Sequence, residues 1–218
     1  MKKSHFVILY QSDCLVLIRN KFSMPRIKLY DENRVLESAM HLFWENGYEA
    51  TSVRMLEKKM KINQFSIYSS FKNKKKLFIR SIKNYQEYVK TNVISELLKE
   101  NAGLAELEKF LYHAANSGIT NKKKIGCLVV NTTAELGNSD NEIAVELANY
   151  YDFINGILQN LLQNAIDKKE ISAFTNIVQQ ANFFLGVLQS ISVASKTSHH
   201  NQLNDFIKIS IHQIKLLN

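Results

Sequence analysis

Asn63-Gln64-Phe65-Ser66-Ile67-Tyr68-Ser69-Ser70-Phe71-Lys72-Asn73-Lys74-Lys75-Lys76-Leu77-Phe78 is the stretch on which the reading of this chain turns. Asn63 is a good N-cap residue, because its short amide can accept from the free N–H groups of a first helical turn. It opens a short helix from Gln64 to Ser70. Asn73 is a second such cap. Behind it Leu77, Phe78, Ile82, Tyr85, Val89 and Ile94 recur at helical spacing, which predicts a long helix reaching about Leu98. Just upstream, Thr51 or Ser52 can cap another short helix ending near Lys59, and Lys61-Ile62 make a tight break before Asn63. Two short helices separated by three or four residues, set in basic sequence, form a candidate helix-turn-helix.

The chemistry of that motif is specific. Its first helix braces the second, whose N-terminal residues enter the major groove and meet base edges. Small and amide side chains suit this task, since they hydrogen-bond bases without filling the groove. Asn63, Gln64, Phe65 and Ser66 occupy those positions. Tyr68 lies one turn further on, where a phenol reaches a phosphate, with an ordinary half-buried aromatic as the alternative reading. Lys72, Lys74, Lys75 and Lys76 gather where the next helix begins and its free N–H groups favour anions. Phe71 reads as core.

Working outward, an earlier helix runs from about Asp31 to Asn46. Asp31 is its cap, Val35, Ala39, Leu42 and Phe43 form one apolar face, and Gly47 stands where a C-terminal glycine is expected. Beyond Gly103 the pattern stays helical, with segments near 104–117, 126–136, 140–167, 174–195 and 201–217. The 174–195 segment has a stripe of Phe174, Ile177, Val178, Ala181, Phe184, Leu185 and Leu188. In the last segment Leu203, Phe206, Ile207, Ile209, Ile211, Ile214 and Leu217 spread round most of the circumference. A helix apolar on several sides needs several partners.

Composition agrees with an all-α chain. Among 218 residues there are one proline and seven glycines, too few breaks for a sandwich or barrel. With 45% hydrophobic and 22% charged residues the chain can bury a core, which excludes wholesale disorder. The net charge of +8 is unevenly placed: +3 over residues 1–23, +7 over 24–90 and −2 over 91–218. That asymmetry fits either a polyanion partner for the N-terminal part or a lysine-rich solvated surface. Residues 1–23 read as an extension of unclear structure. Their Phe6–Tyr10 run resembles a signal peptide, but Gln11, Ser12 and Asp13 interrupt it and no cleavage site follows. No apolar run reaches the 18 residues that would span a bilayer. Two cysteines, Cys14 and Cys127, make neither a disulfide scaffold nor a zinc pattern. No metal or cofactor is expected.

Several separated spacings make the chain resemble the tetracycline-repressor (TetR) family of bacterial transcription regulators over about Asp31 to Phe78. Gly47-Tyr48 is similar to the glycine-aromatic pair that ends that family's first helix. Thr51-Ser52-Val53-Arg54 is similar to the opening of its second helix. Tyr68, Phe71, Lys74 and Leu77-Phe78 match its pattern in order and spacing. There are departures: Glu57, Lys58, Lys59 and Met60 stand where the family has small residues, and Lys61 stands where it has a turn glycine. Phe65 replaces a small residue and either meets a thymine methyl or packs inward. Gly126 to Glu135 resembles a segment found in many members between their fifth and seventh helices.

The resemblance implies an N-terminal three-helix helix-turn-helix domain at 24–78 and a C-terminal helical effector and dimerisation domain at 79–218, with about nine helices in all. It implies a cytoplasmic homodimeric repressor that leaves a palindromic double-stranded operator when a small effector binds, with no membrane partner and no enzymatic activity. DNA contacts are expected from Thr51, Ser52, Arg54, Asn63, Gln64, Phe65, Ser66, Tyr68, Ser69, Lys72 and Lys74. Polar or aromatic groups of an effector pocket are expected from His113, Asn116, Cys127, Asn131, Phe153, Phe184 and Gln189. A lone cysteine flanked by Leu128 and Val129, as Cys127 is, is more often a small buried hydrophobe. The dimer is expected through Phe184, Leu188, Leu203, Phe206, Ile207 and Ile214. The alternative is a helical small-molecule-binding protein, or an enzyme of unrecognised type, whose basic N-terminal half is incidental.

Overall fold

The computed structural model describes residues 30–120, 125–197 and 199–215, so the expectations for residues 1–23 and for Leu217 lie outside it. Among the described residues there are α-helices and one 3-10 turn and no strand. The helices are α1 (Glu32–Asn46), α2 (Val53–Met60), α3 (Gln64–Phe71), α4 (Lys74–Asn92), α5 (Leu104–Thr120), α6 (Leu128–Leu136), α7 (Asn141–Asp167), α8 (Ile177–Ala194) and α9 (His200–Lys215).

Side-chain caps set most starts. Asp31 accepts from Asn33 N at 2.9 Å, Asn63 from Ser66 N at 2.8 Å and Asn73 from Lys76 N at 2.8 Å. Ser52, not Thr51, caps α2, accepting from Met55 N at 3.2 Å. Thr51 instead stands one position before the cap, with its hydroxyl turned back to donate to Gly47 O at 2.6 Å. Gly47 ends α1 at φ 81°, where a side chain would be strained and a Cβ would meet the Glu135 carboxylate.

Two expected boundaries move. The long helix stops at Asn92, and a separate 3-10 turn, Ser95–Leu98, follows it. The 174–195 stripe begins later: Asn176 caps α8 by accepting from Gln179 N, and Phe174 is 98% exposed. By length and composition alone α8 could cross a bilayer, with a mean hydropathy of 1.2 over its 18 residues, although Gln179, Gln180, Asn182, Gln189, Ser190 and Ser192 leave no continuous apolar run. Its inner side is spent on protein instead: Ala181, Phe184, Val187 and Ile191 are buried, and the helix packs mainly on α7.

The core runs continuously through the described chain. α1 lies on α4 and α2, and α3 fits between α2 and α4, burying Phe43, Leu56, Ile67, Phe71, Leu77 and Phe78. Further along, α4 packs on α7, α7 on α8, and α5 on α9. Nothing interrupts α4 at residue 78, and the described residues from Asp31 onward form one compact unit.

Candidate functional site

The α2–α3 turn is built by residues at unusual conformations. Lys61 sits at φ 56°, ψ 34°, the left-handed region that a glycine would occupy freely. At the far end of α3, Lys72 has φ 69°, ψ −55°, and Asn73 N donates to Phe71 O at 2.9 Å to close a γ-turn. Glu57, one of the departures from the family pattern, accepts from Gln64 N at 2.6 Å and so caps α3 from α2. Ile67 and Phe71 anchor the inner side of α3.

The outer side of this unit is polar and basic. Gln64, Ser69 and Lys72 are exposed, as is Phe65 at 69%, while Ser66 and Tyr68 are half-buried. Ser52, Arg54, Lys58, Lys59 and Lys61 are exposed beside them. Phe65 therefore points outward rather than packing in. Thr51 does the reverse: it is fully buried, so its expected DNA contact is replaced by a bracing role at the head of α2.

The four lysine positions after α3 divide. Lys74 holds its ammonium 4.4 Å from the centre of the Tyr48 ring. Lys75 pairs with Glu142 at 2.9 Å and Asp140 at 3.1 Å, and Lys76 pairs with Glu142. The Lys75 bond holds the Asp140 carboxyl below its ordinary range, and Lys76 and then Lys75 do the same for Glu142. The bond to Glu142 likewise raises Lys75. These two lysines tie α4 to the start of α7 and are spent on protein, leaving Lys72 and Lys74 nearer to α3.

Behind the basic face a cavity of about 330 Å³ lies among α1, α4, α5, α6, α7 and α8. Its wall includes Trp44, Tyr85, Tyr88, Phe110, Tyr150 and Tyr151. Of the expected pocket residues, His113, Cys127 and Gln189 line it. Asn131 does not, because it is occupied as a latch: its Nδ2 donates to Ile125 O at 2.7 Å and its Oδ1 accepts from Lys196. Phe184 is core, Phe153 packs beside Tyr150, and Asn116 is exposed outside the wall. Leu188, expected at a dimer surface, lines the cavity.

Sequence reasoning missed Trp44. Its ring meets Tyr85 edge-on at 4.9 Å, and its Nε1–H donates to Gly126 O at 2.8 Å. It sat on the α1 face opposite the apolar stripe, so only the arrival of α6 there reveals its role. Burial raises the phenols of Tyr85 and Tyr150 well above their ordinary value, with Cys127 the next cause in each. Burial raises Tyr151 as well. These hydroxyls therefore stay protonated. Among the described residues no group of three or more His, Cys, Asp and Glu is placed to hold a metal.

The outward sides of α8 and α9 carry Val178, Phe183, Val193, Phe206 and Ile209, all exposed. Among residues expected at the dimer surface, Phe184, Leu203, Ile207 and Ile214 are buried inside the single chain. Packing of α9 on α5 and α8 accounts for them. Phe206, 38% exposed, is the one that remains available.

Comparison with known proteins agrees with this arrangement. The family model for bacterial regulatory proteins of the tetR family matches residues 35–80, and that for the tetracyclin repressor-like C-terminal domain matches residues 103–208. Together they take in more than two thirds of the chain. The chain is 26% identical over 177 residues to the HTH-type transcriptional repressor ComR of Escherichia coli strain K12, covering 81% of this chain and 84% of that protein. It is 25% identical over 200 residues to the HTH-type transcriptional regulator YezE of Bacillus subtilis strain 168, covering 86% and 98%. Its fold is similar to that of the TetR family regulator CifR, solved as a cysteine-substituted form with 26-base-pair operator DNA. There the TM-score is 0.75 at 21% identity, covering 86% of this chain and 98% of that one. With a braced recognition helix in front, a helical body behind and both family models matched in order, the chain belongs to the TetR family and is a DNA-binding transcriptional regulator.

Proposed function

We propose that the chain is a ligand-responsive repressor, a homodimer that holds a palindromic operator and leaves it when a small molecule fills the cavity. The observation that carries this reading is the placement of α3. Its outer edge offers Gln64, Phe65 and Ser69 to solvent among basic side chains, while α4, which packs against α3 from behind, also forms part of the cavity wall together with Trp44 of α1. Residues 24–78 serve as the DNA-binding unit and 79–218 as the effector and dimer unit. Gln64 and Phe65 read base edges. Ser52, Arg54, Tyr68, Lys72 and Lys74 hold phosphates. Asn63 and Ser66 shape the helix start, since Asn63 spends its side-chain oxygen on Ser66 N.

Two copies meet through the exposed side of α8 and α9, where Phe183 and Phe206 are the largest apolar groups. An isologous pairing puts two recognition helices about 34–36 Å apart, one turn of DNA. An effector that prefers another spacing lowers operator affinity by its differential binding to the two states. The names of ComR, a transcriptional repressor, and of CifR, solved on operator DNA, favour repression. We assign the chain to the cytoplasm, with no membrane partner and no reaction of its own.

Selection of bound duplexes from a random pool by the purified full chain tests this reading, with an inverted repeat as the expected result. Lys74→Ala should weaken binding to all duplexes alike and lower the salt slope by about one unit, whereas Gln64→Ala should change which sequence is preferred. A pool with no repeat, or equal salt slopes for wild type and Lys74→Ala, would overturn the assignment.

A further inference from the structure

The cavity wall has a composition that selects by charge. Among the described residues lining it there is no Asp, Glu, Lys or Arg. A charged ligand entering here would give up its hydration with no opposite charge to replace it. Six aromatic rings instead surround the space, and the remaining lining is dominated by aliphatic groups such as Val89, Ile94, Ile154 and Leu188.

The polar atoms near the wall are mostly committed to the protein. Tyr151 shares a hydrogen bond of 2.8 Å with Thr133, and Tyr150 lies against the Cys127 sulfur at 3.9 Å. Ser192 accepts from Cys127 N at 2.9 Å, Ser195 donates back to Ser192 O, and Asn92 donates to Tyr88 O. Aromatic and aliphatic side chains make up most of what the cavity presents, with His113 and Gln189 among its polar ones. Its volume of about 330 Å³ is at the small end of the range of ~300–1,000 Å³ for drug-sized ligands, which suits two or three rings.

We infer that the cavity takes an uncharged, mainly apolar aromatic molecule of two or three rings, held by stacking against Trp44, Tyr85 and Tyr150. The inference rests on the effector-cavity reading proposed above and narrows it to one chemical class. It also gives Trp44 a double position, as part of the ligand wall and as part of the first helix of the DNA-binding unit. An aromatic box also attracts cations through the ring faces, and Lys122, Lys123 and Lys124, which precede Ile125 in the chain, lie outside the described residues. Both charge signs therefore belong in the test.

Trp44 is the sole tryptophan, so its fluorescence reports on the wall directly. The full chain is titrated with neutral N-phenylnaphthylamine and, separately, with anilinonaphthalene sulfonate, which has the same ring skeleton and a negative charge. Methylnaphthalene and its trimethylammonium analogue then compete with the neutral probe. The neutral probe should quench Trp44 and bind at least about ten-fold more tightly than the sulfonate. Methylnaphthalene should displace it and the ammonium analogue should not. Val130→Phe, which places a ring in the space beside Cys127, should remove this binding while circular dichroism stays helical. The charge comparison uses wild type alone and does not depend on that variant.

Equal binding of either charged analogue, removed by Val130→Phe, would overturn the ligand class and leave the effector cavity standing. No binding of any probe would overturn both the class and the cavity as a ligand site, while the DNA selection experiment would still decide the recognition helix by itself.

Discussion

Glu135 carries more structure than an exposed glutamate ordinarily does. Its two carboxylate oxygens accept from Tyr48 N at 3.0 Å and Glu49 N at 2.8 Å, which are the free N–H groups of the turn between α1 and α2. Charge-assisted bonds of this kind are stronger than neutral ones, though water competes at a surface. Glu135→Ala should lower stability by about 1 kcal/mol. In a chain of this size that is a fall of about 2–4 °C in Tm, readable by calorimetry. Glu135→Gln keeps one acceptor and should recover part of the loss. An unchanged Tm in both variants would mean that water serves those N–H groups equally well. In the sequence Glu135 was the end of a segment resembling other family members; its partners 86 and 87 residues away are visible only in the fold.

At the scale of elements, α3 is bracketed by two lysines at positive φ, Lys61 ending α2 two residues before the Asn63 cap and Lys72 ending α3 itself. A left-handed residue with a side chain costs roughly 1–2 kcal/mol relative to its usual conformation, and glycine is free of that cost. Lys61→Gly should therefore stabilise the protein by about 1 kcal/mol, less the extra freedom glycine gains when unfolded. Chemical denaturation measures this as a higher midpoint with unchanged slope. A lower midpoint would show that the lysine stem contributes packing that outweighs its strain. The expectation that Lys61 replaces a turn glycine in the left-handed region agrees with the observed dihedral angles. α6 adds a second link beside the one between α4 and α7. Its N-terminal approach is held by Trp44 on Gly126 O, and its last turn by Glu135 on the α1–α2 link. A ligand that moves the Cys127 end would therefore act on a segment bonded to α1 through Gly126 and to the α1–α2 link through Glu135.

For the whole molecule, the exposed apolar groups on α8 and α9 are the surface on which the proposed assembly rests. Phe206 is 38% exposed and its neighbour Ile209 is 69% exposed, so a charge there leaves the core of one chain intact. Phe206→Glu should give a helical monomer by light scattering and circular dichroism. Losing the second half-site should weaken operator binding by ~100-fold or more, the usual gain from linked sites. A monomer that binds the operator at wild-type affinity would refute the dimer mechanism.

The sequence by itself determined the all-α class, the caps at Asp31, Asn63 and Asn73, and the recognition helix. Each of these rests on contacts between residues a few positions apart: a side-chain oxygen and the N–H two or three residues on, or apolar groups at helical spacing. Tertiary structure alone decided which of the marked residues face outward. Thr51 turns inward to Gly47, Asn131 becomes a latch rather than a ligand group, and Phe184, Leu203, Ile207 and Ile214 are covered by their own chain. It also decided that Lys75 and Lys76 are held by Asp140 and Glu142, and that Trp44 completes the cavity. The physical reason is range. Helical periodicity tells which side of a helix is apolar, but what covers that side comes from helices tens of residues away, and their packing has no signature in local spacing.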